Sequence, residues 1–183
     1  MKKAIALLLA LVMVFALCAC GGDKGTADNG EKVVKIGVFE PASGDSGAGG
    51  KKEMLGMQYA NQETPTVEIG GETYKVELVY SDNGSDSAKA VSAASKLVNE
   101  KVSIVLGSYG SGVSIAASDT FKQAGIPAVG VTCTNPNVTA GNSHYFRICF
   151  LDPFQGTVLA NYASSELKAK KAYCLGENGN EYD

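Results

Sequence analysis

The sequence contains no tryptophan, a single histidine and only 8% aromatic residues, and it has no run of lysine or arginine. Nucleic-acid-binding proteins need a basic surface for phosphates, and those that bind single strands add aromatic residues that stack on bases. A formal charge of −3 therefore argues against nucleic acid as a partner. What is present is ordinary globular composition: 183 residues, 45% of them hydrophobic, suffice for one domain with a real core.

Cysteine and histidine are too sparse for a metal site or a thiol active site. None of the five cysteines forms a CxxC pair, and His144 is the only histidine. A zinc site needs about four N or S ligands at short spacings, and a cysteine nucleophile needs an adjacent base. Neither pattern occurs, so we predict no metal, no cofactor and no catalytic residue. Cys133, Cys149 and Cys174 are expected to be small buried thiols, although one disulfide among them stays possible.

The first nineteen residues have the pattern of an export signal. Lys2 and Lys3 precede the apolar run Ala4 to Leu17, whose fourteen residues are fewer than the roughly 18 to 20 that span a bilayer. The run ends in Leu17-Cys18-Ala19-Cys20-Gly21, which resembles a bacterial lipobox. We therefore expect a signal peptide over 1–19, lipidation at Cys20 and a lipid-anchored protein outside the cytoplasm. The alternative is an ordinary signal peptide that happens to contain cysteine. The polar stretch 20–32 is predicted to be a flexible tether.

The rest of the chain alternates short apolar runs with helical periodicity, as in repeated βαβ units. The predicted strands are Val33 to Phe39, Tyr74 to Tyr80, Ile104 to Leu106 and Ala128 to Val131. Helices are predicted over 86–99, with Ala88, Val91, Ala94 and Val98 on the buried face, and over 112–124, with Val113, Ala117, Phe121 and Ala124 buried. This order predicts an α/β fold with a parallel sheet and helices on both faces.

Right-handed crossovers place the strand-to-helix loops along one edge of such a sheet, where ligands bind in open α/β folds. The loops are 41–52, 107–113 and 131–136. The glycine-rich first loop contains neither GxxxxGK followed by Ser or Thr nor GxGxxG, so we do not predict phosphate binding. The stretch 82–86 (DNGSD) lacks the glycine and the bidentate glutamate of a calcium loop. It is better explained as a turn with Asp86 as a helix N-cap.

Three hydroxyl residues stand where these loops would meet. Ser111 precedes a predicted helix whose free N–H groups favour an anion such as a carboxylate. Thr132 and Thr134 flank Cys133 at the end of a buried strand, and strand alternation would point both hydroxyls the same way. Together they predict a neutral polar pocket for a small zwitterion. Simple helix capping by Ser111 and turn formation by the threonines remain open alternatives.

Five segments in this order resemble the branched-chain amino-acid-binding proteins, the receptors of ABC importers, which have the type I periplasmic-binding fold. The segments are KIGVFEPASG (35–44), YSDNGSDSAKAVSAASKLVNE (80–100), VLGSYGSGVSIAASD (105–119), GIPAVGVTCTNP (125–136) and FRICFLDPFQG (146–156). The resemblance implies two α/β lobes, joined by hinge strands, that close on an amino acid. It also implies an incomplete first lobe over 33–150 and the start of a second over 151–183.

The resemblance also assigns roles to single residues. Ser111 and Thr134 match the hydroxyls that bind the ligand carboxylate, and Thr132 matches the residue whose carbonyl faces the ammonium group. Tyr182 matches a tyrosine of the second lobe that closes over the ligand. One departure is Gly49, where many members carry an aromatic wall for an aliphatic side chain, so leucine, isoleucine or valine need not be the ligand.

The last part of the chain predicts a helix over 154–167 and one strand from Ala172 to Leu175. A lone strand cannot form a domain, so we expect the 183 residues to be a piece of a chain about twice as long by the family analogy. The expected function is a substrate-binding lipoprotein that delivers an amino acid to an ABC permease. The alternative is the sensing domain of a signalling receptor, and an enzyme is not expected.

Overall fold

The computed structural model describes residues 30–182. The predicted signal peptide, Cys20 and most of the predicted tether lie outside the described residues. The elements are β1 (Val33–Glu40), α1 (Gly47–Glu63), β2 (Thr66–Ile69), β3 (Glu72–Asp82), α2 (Ser87–Asn99), β4 (Ile104–Leu106), α3 (Ser111–Ala124), β5 (Ala128–Gly130), a 3-10 turn (Pro136–Val138), β6 (Tyr145–Arg147) and α4 (Asp152–Ser165). No described helix is long and apolar enough to cross a bilayer.

The strands form one six-stranded sheet in the order β2-β3-β1-β4-β5-β6. Every neighbouring pair is parallel except β2 with β3, which form an antiparallel hairpin at one edge. The predicted α/β fold with a parallel sheet is therefore confirmed. The sequence did not indicate β2, because its four residues are all exposed and carry no burial pattern. The three-residue β6 was also missed.

Helices cover both faces of the sheet, as expected. On one face, α2 and α3 pack on a core in which the rings of Phe39 and Phe121 meet edge to face, with centroids 5.5 Å apart. On the other face, Met57 and Ala60 of α1 line a groove with Ile36 and Leu78 of the sheet. Because side chains alternate along a strand, β1 sends successive residues to opposite helical layers.

The buried faces of the two core helices match the prediction to different degrees. In α3, Val113, Ala117 and Phe121 are buried as predicted, while Ala124 is exposed beside the left-handed cap at Gly125. In α2 the prediction was half right: Ala94 is buried and Val98 packs against the core, whereas Ala88 and Val91 are exposed. The buried side chains of α2 are Ala90, Ala93, Ala94 and Leu97. An alanine-rich helix offers two similar apolar faces, and packing against α3 selects between them.

The first loop is shorter than predicted, because α1 begins at Gly47 and leaves only 41–46 as loop. Several glycines made helix an unfavourable prediction here. They are tolerated because the helix start packs closely on the loop before it. A Cβ at Gly50 would overlap the carbonyl oxygen and ring of Pro41.

The predicted strand from Ala172 to Leu175 is absent. These residues lie outside any helix or strand, and the side chains of Tyr173 and Leu175 are fully exposed. An apolar stretch forms a strand only where a neighbouring strand can make backbone hydrogen bonds with it. The described residues contain no such neighbouring strand at this position. The predicted helix nearby is confirmed as α4, shifted by two residues, and none of its side chains is buried.

Candidate ligand-binding cleft

A cleft of about 740 Å³ opens at the carboxyl edge of the sheet. It is lined by the loops that follow β1, β3, β4 and β5, by the residues after β6 and by the last described segment of the chain. All four predicted site residues, Ser111, Thr132, Thr134 and Tyr182, line this cleft. The remaining lining residues are Asp45, Ser46, Ser85, Ser87, Tyr109, Gly110, Gly112, Val113, Cys149, Phe150, Gln155, Glu177, Asn178, Gly179, Asn180 and Glu181.

Asp82, at the end of β3, fixes the first loop. Its carboxylate accepts hydrogen bonds from the Ala42 N–H at 2.8 Å and the Ser43 hydroxyl at 2.7 Å, and from the Gly84 N–H at 2.8 Å. Partial burial acts to raise the pKa of Asp82, but these hydrogen bonds outweigh it and the pKa is lowered. The stretch 82–86 is thus a turn with a capped helix, as predicted: Asp86 accepts from the Ala88 N–H at 2.8 Å.

The second loop is held by buried polar contacts. The amide of Asn83 donates to the hydroxyl of Ser108 at 2.9 Å, and the Ser114 hydroxyl donates to the Gly110 carbonyl at 2.9 Å. The phenol of Tyr145 donates to the Gly107 carbonyl, also at 2.9 Å. Since Asn83, Ser108 and Ser114 are fully buried, the loop is fixed before any ligand binds.

Ser111 is the first residue of α3 rather than the residue before it, so the predicted helix start at Gly112 was one position late. The N-cap is Gly110, and no side chain caps the helix, so the capping alternative for Ser111 is wrong. Ser111 is 2% exposed, and its hydroxyl accepts a hydrogen bond from the Asn135 N–H at 3.2 Å. Its own proton remains available to a ligand beside the free N–H groups of the first turn.

The two threonines differ in their surroundings. Thr134 is buried, and its hydroxyl oxygen has no hydrogen-bond partner within residues 30–182, although it belongs to the cleft wall. Thr132 is exposed, and its hydroxyl donates to Glu53 of α1. Strand alternation predicted the same environment for both, and that was wrong because the strand ends at Gly130 and the chain turns. Burying a hydroxyl without a hydrogen-bond partner costs folding free energy. The Thr134 hydroxyl is therefore a donor that a ligand in the cleft could satisfy.

Arg147, the single arginine of the sequence, holds the third loop from β6. Its guanidinium donates to the carbonyls of Cys133 and Asn135, both at 2.9 Å, to the Pro136 carbonyl at 3.2 Å and to the Thr139 hydroxyl at 2.8 Å. The sequence analysis missed this residue. A lone arginine inside a short apolar run was the signal that could have indicated it.

The segment 177–182 closes one side of the cleft. The amide of Asn135 donates to the Glu181 carbonyl, and the Tyr182 phenol accepts from the Gln155 amide at 3.4 Å. Tyr182 is half exposed, so its ring borders the open space.

The cysteines only partly follow the expectation of buried thiols. Cys133 is buried, Cys149 is half-buried in the cleft wall and Cys174 is exposed, and all three are free. Burial raises the pKa of Cys133 to about 11. Burial also raises the pKa of Cys149, against the opposing effect of Arg147.

Comparison with known proteins agrees with this architecture. Residues 33–182 match the family of periplasmic binding proteins. A Leu/Ile/Val-binding protein homologue of Brucella abortus is 32% identical over 165 residues, which are 90% of this chain and 43% of that protein. The chain thus spans about two fifths of the length of the curated relatives it matches.

Two solved structures are similar. The leucine-binding protein LivK of Thermotoga maritima is 39% identical with a TM-score of 0.70, over 75% of this chain and 39% of that one. The branched-chain amino acid transporter substrate-binding protein LivJ of Streptococcus pneumoniae, solved with isoleucine, is 35% identical with a TM-score of 0.69, over 76% and 40%.

The parallel sheet, its two helical layers and the cleft at its carboxyl edge are those of the type I periplasmic-binding fold, the fold of extracytoplasmic solute-binding proteins. The chain belongs to the periplasmic binding protein family, and the proteins it resembles in sequence and structure include leucine- and branched-chain amino-acid-binding proteins.

Proposed function

We propose that this chain forms the first-lobe half of an amino-acid site in a substrate-binding lipoprotein of an ABC importer. The observation that carries the proposal is the convergence of Thr134, Ser111 and the first turn of α3 on one cleft. Thr134 has a buried hydroxyl without a partner, Ser111 has a hydroxyl proton to donate, and the helix start has free N–H groups. These are hydrogen-bond donors for a carboxylate, provided by neutral groups and the helix dipole.

The ammonium group would lie on the side of Thr132. Its backbone carbonyl is the acceptor that the family resemblance suggests, and Glu53 and Glu40 lie behind this wall. Acidic groups near the cleft favour a cation there, so a zwitterion matches the two ends of the wall better than a simple anion does. Tyr182 would cover the ligand from the second lobe, whose beginning we place at 151–183 after the first lobe over 33–150.

In the complete protein the two lobes would close on the ligand, and the closed form would dock on the permease. A lipid on Cys20 would keep the receptor at the membrane, and the stretch 20–32 would be the tether between lipid and lobe. This raises the receptor's effective concentration near the transporter. No step makes or breaks a covalent bond, so the proposal includes no enzymatic activity.

A thermal-shift screen of the full-length, signal-free protein tests the proposal, because a ligand that binds only the folded state raises the melting temperature. The panel contains the amino acids and small carboxylates without an amino group. A shift with leucine, isoleucine or valine supports the proposed ligand class. A shift only with carboxylates that lack an amino group would keep the binding role and overturn the amino acid as ligand.

A further inference from the structure

Two glutamate side chains meet behind the cleft wall. Glu40, the last residue of β1, is 1% exposed, and its carboxyl is hydrogen-bonded to that of Glu53 on α1. Oε1 of Glu40 and Oε2 of Glu53 are buried and receive no hydrogen bond from any N–H or hydroxyl group of the described residues. Two carboxylates cannot hydrogen-bond to each other unless one carries a proton.

The outer oxygens of the pair hold two residues of the cleft. Glu40 Oε2 accepts the Tyr109 N–H at 2.7 Å, and Glu53 Oε1 accepts the Thr132 hydroxyl. Tyr109 and Thr132 both line the cleft, and they lie on different loops. The pair therefore connects the second and third loops through the start of α1.

The charged surroundings do not neutralise a second negative charge. On β3, the Asp82 carboxylate is bound by the first loop; on β6, Tyr145 is buried and donates its phenol proton to Gly107. Within residues 30–182, no lysine, arginine or histidine forms an ion pair with either glutamate. Burial, followed by the hydrogen bond and the charge of Glu53, raises the pKa of Glu40 to about 9.

We propose that Glu40 and Glu53 are positioning residues that share one proton and, as an acid–carboxylate pair, hold Tyr109 and Thr132 in place for ligand binding. Loss of the shared proton would leave two adjacent buried carboxylates, which repel each other. The repulsion would separate α1 from the end of β1 and displace both cleft residues. The cleft is then intact at neutral pH and loosened in alkali. The link to binding rests on the proposed function, whereas the shared proton does not.

The first test needs no ligand. An unfolded glutamate loses its proton near pH 4.5, and the folded pair keeps one until about pH 9. In that window the folded state binds one more proton than the unfolded state, so stability falls as pH rises. One proton changes the folded-to-unfolded ratio about tenfold per pH unit. Glu40→Gln keeps the shape and removes the titration.

Urea unfolding of the full-length protein between about pH 6 and 8.5 measures this slope. We expect Glu40→Gln to lose the one-proton component and Glu53→Gln to reduce it, because burial alone still raises the pKa of Glu40. Glu77→Gln, at an exposed glutamate on β3, should keep the full component. Infrared spectroscopy should show a protonated-carboxyl band at neutral pH that disappears in Glu40→Gln. Identical slopes in the wild type and both pair variants would overturn the shared proton.

The second test measures the effect on the cleft. Hydrogen exchange of the Tyr109 amide, corrected for the intrinsic pH dependence, should quicken at least tenfold between pH 7 and about pH 10 in the wild type but not in Glu40→Gln. L-leucine affinity should weaken over the same range only in the wild type. Equal pH responses in both proteins would overturn the positioning role. If the wild type does not bind leucine at any pH, leucine is not the ligand, and the unfolding and exchange results still decide on the pair.

Discussion

A methyl group at Gly49 would lie 2.5 Å from Cζ of the Tyr109 ring, so the ring fills the space in which a side chain at position 49 would stand. Tyr109 comes from the second loop and lines the cleft, with 39% of its surface exposed. Many members of the family that the sequence resembles carry an aromatic side chain in the first loop, at the position where this chain has Gly49. The structure places another aromatic side chain over that glycine.

Gly49→Ala should push the Tyr109 ring aside and weaken L-leucine binding about tenfold, with little loss of stability because a ring end can move. Tyr109→Ala should weaken binding by a similar factor through loss of apolar contact. The double variant should then be no weaker than Tyr109→Ala alone, since the clash is gone. Isothermal calorimetry on the four proteins measures this cycle. Additive losses would mean that the two positions act independently.

Thr134→Val replaces the unpartnered hydroxyl with a methyl group of similar size. Stability should stay equal or rise by up to about 1 kcal/mol, because a buried group without a partner disappears. Binding of an amino acid should weaken by about 10- to 100-fold, because the carboxylate loses a donor. Thr66→Val, on the exposed strand β2, is the matched control and should change neither quantity. A strong loss of stability in Thr134→Val would show that the hydroxyl serves the fold.

Ser111→Ala removes a donor to the ligand and the acceptor of the Asn135 N–H. Affinity should fall by the equivalent of about 1.5 to 3 kcal/mol, the range for a hydrogen bond to a charged group. Melting temperature without ligand should fall only slightly, because the Asn135 N–H lies in a part-buried position. Ser92→Ala, on the exposed face of α2, is the comparison. Unchanged affinity in Ser111→Ala would remove this residue from the proposed site.

Arg147→Lys should destabilise the protein by about 2 to 4 kcal/mol. The guanidinium donates to three carbonyls and one hydroxyl, and a lysine ammonium cannot match that planar arrangement. Urea unfolding measures the loss, with Lys122→Arg on α3 as a surface control. A stability within 0.5 kcal/mol of the wild type, on the order of a neutral surface change, would contradict the anchoring role.

The three thiols should react with iodoacetamide in the order of their exposure. Cys174 should react first, Cys149 more slowly because its pKa is raised, and Cys133, with a pKa near 11 and a buried sulfur, only on unfolding. A bound amino acid should protect Cys149, which lines the cleft, and leave Cys174 unaffected. Peptide mapping by mass spectrometry reads all three sites in one sample. Equal ligand protection of Cys174 would indicate a global rather than a local effect.

Hydrophobic patterning was sufficient for the parallel sheet and for the loops at its edge, because a buried strand and an amphipathic helix each require a periodic sequence. It failed where geometry depends on close approach. The low helix propensity of the glycines around Gly50 indicates a loop, yet these residues form the start of α1. Glycine is required at position 50 because a larger residue would collide with Pro41. It also failed for the Ala172–Leu175 stretch, since strand formation depends on a partner that local sequence cannot reveal.

The site was predicted by position more than by environment. Ser111, Thr132, Thr134 and Tyr182 do line one cleft, but the sequence could not show that Thr134 lacks a partner while Thr132 bonds to Glu53. Glu40 and Glu53 are thirteen residues apart, and only the fold brings their carboxyls together. In the sequence, Glu40 and Glu53 are two separate acidic residues, one of them at the end of a predicted strand, and nothing indicates that they interact.

The described cleft wall contains the acids Asp45, Glu177 and Glu181 but neither lysine nor arginine, so the groups that would hold a ligand carboxylate are hydroxyls and backbone N–H groups. Fixed dipoles at contact distance are screened by dissolved salt far less than paired surface charges are. The contribution of the carboxylate end to binding should therefore be almost equal in dilute and in concentrated salt. In the proposed receptor, this part of the binding site would then work unchanged across surroundings of widely varying ionic strength, which is a demand on any protein exposed to the medium outside the cell.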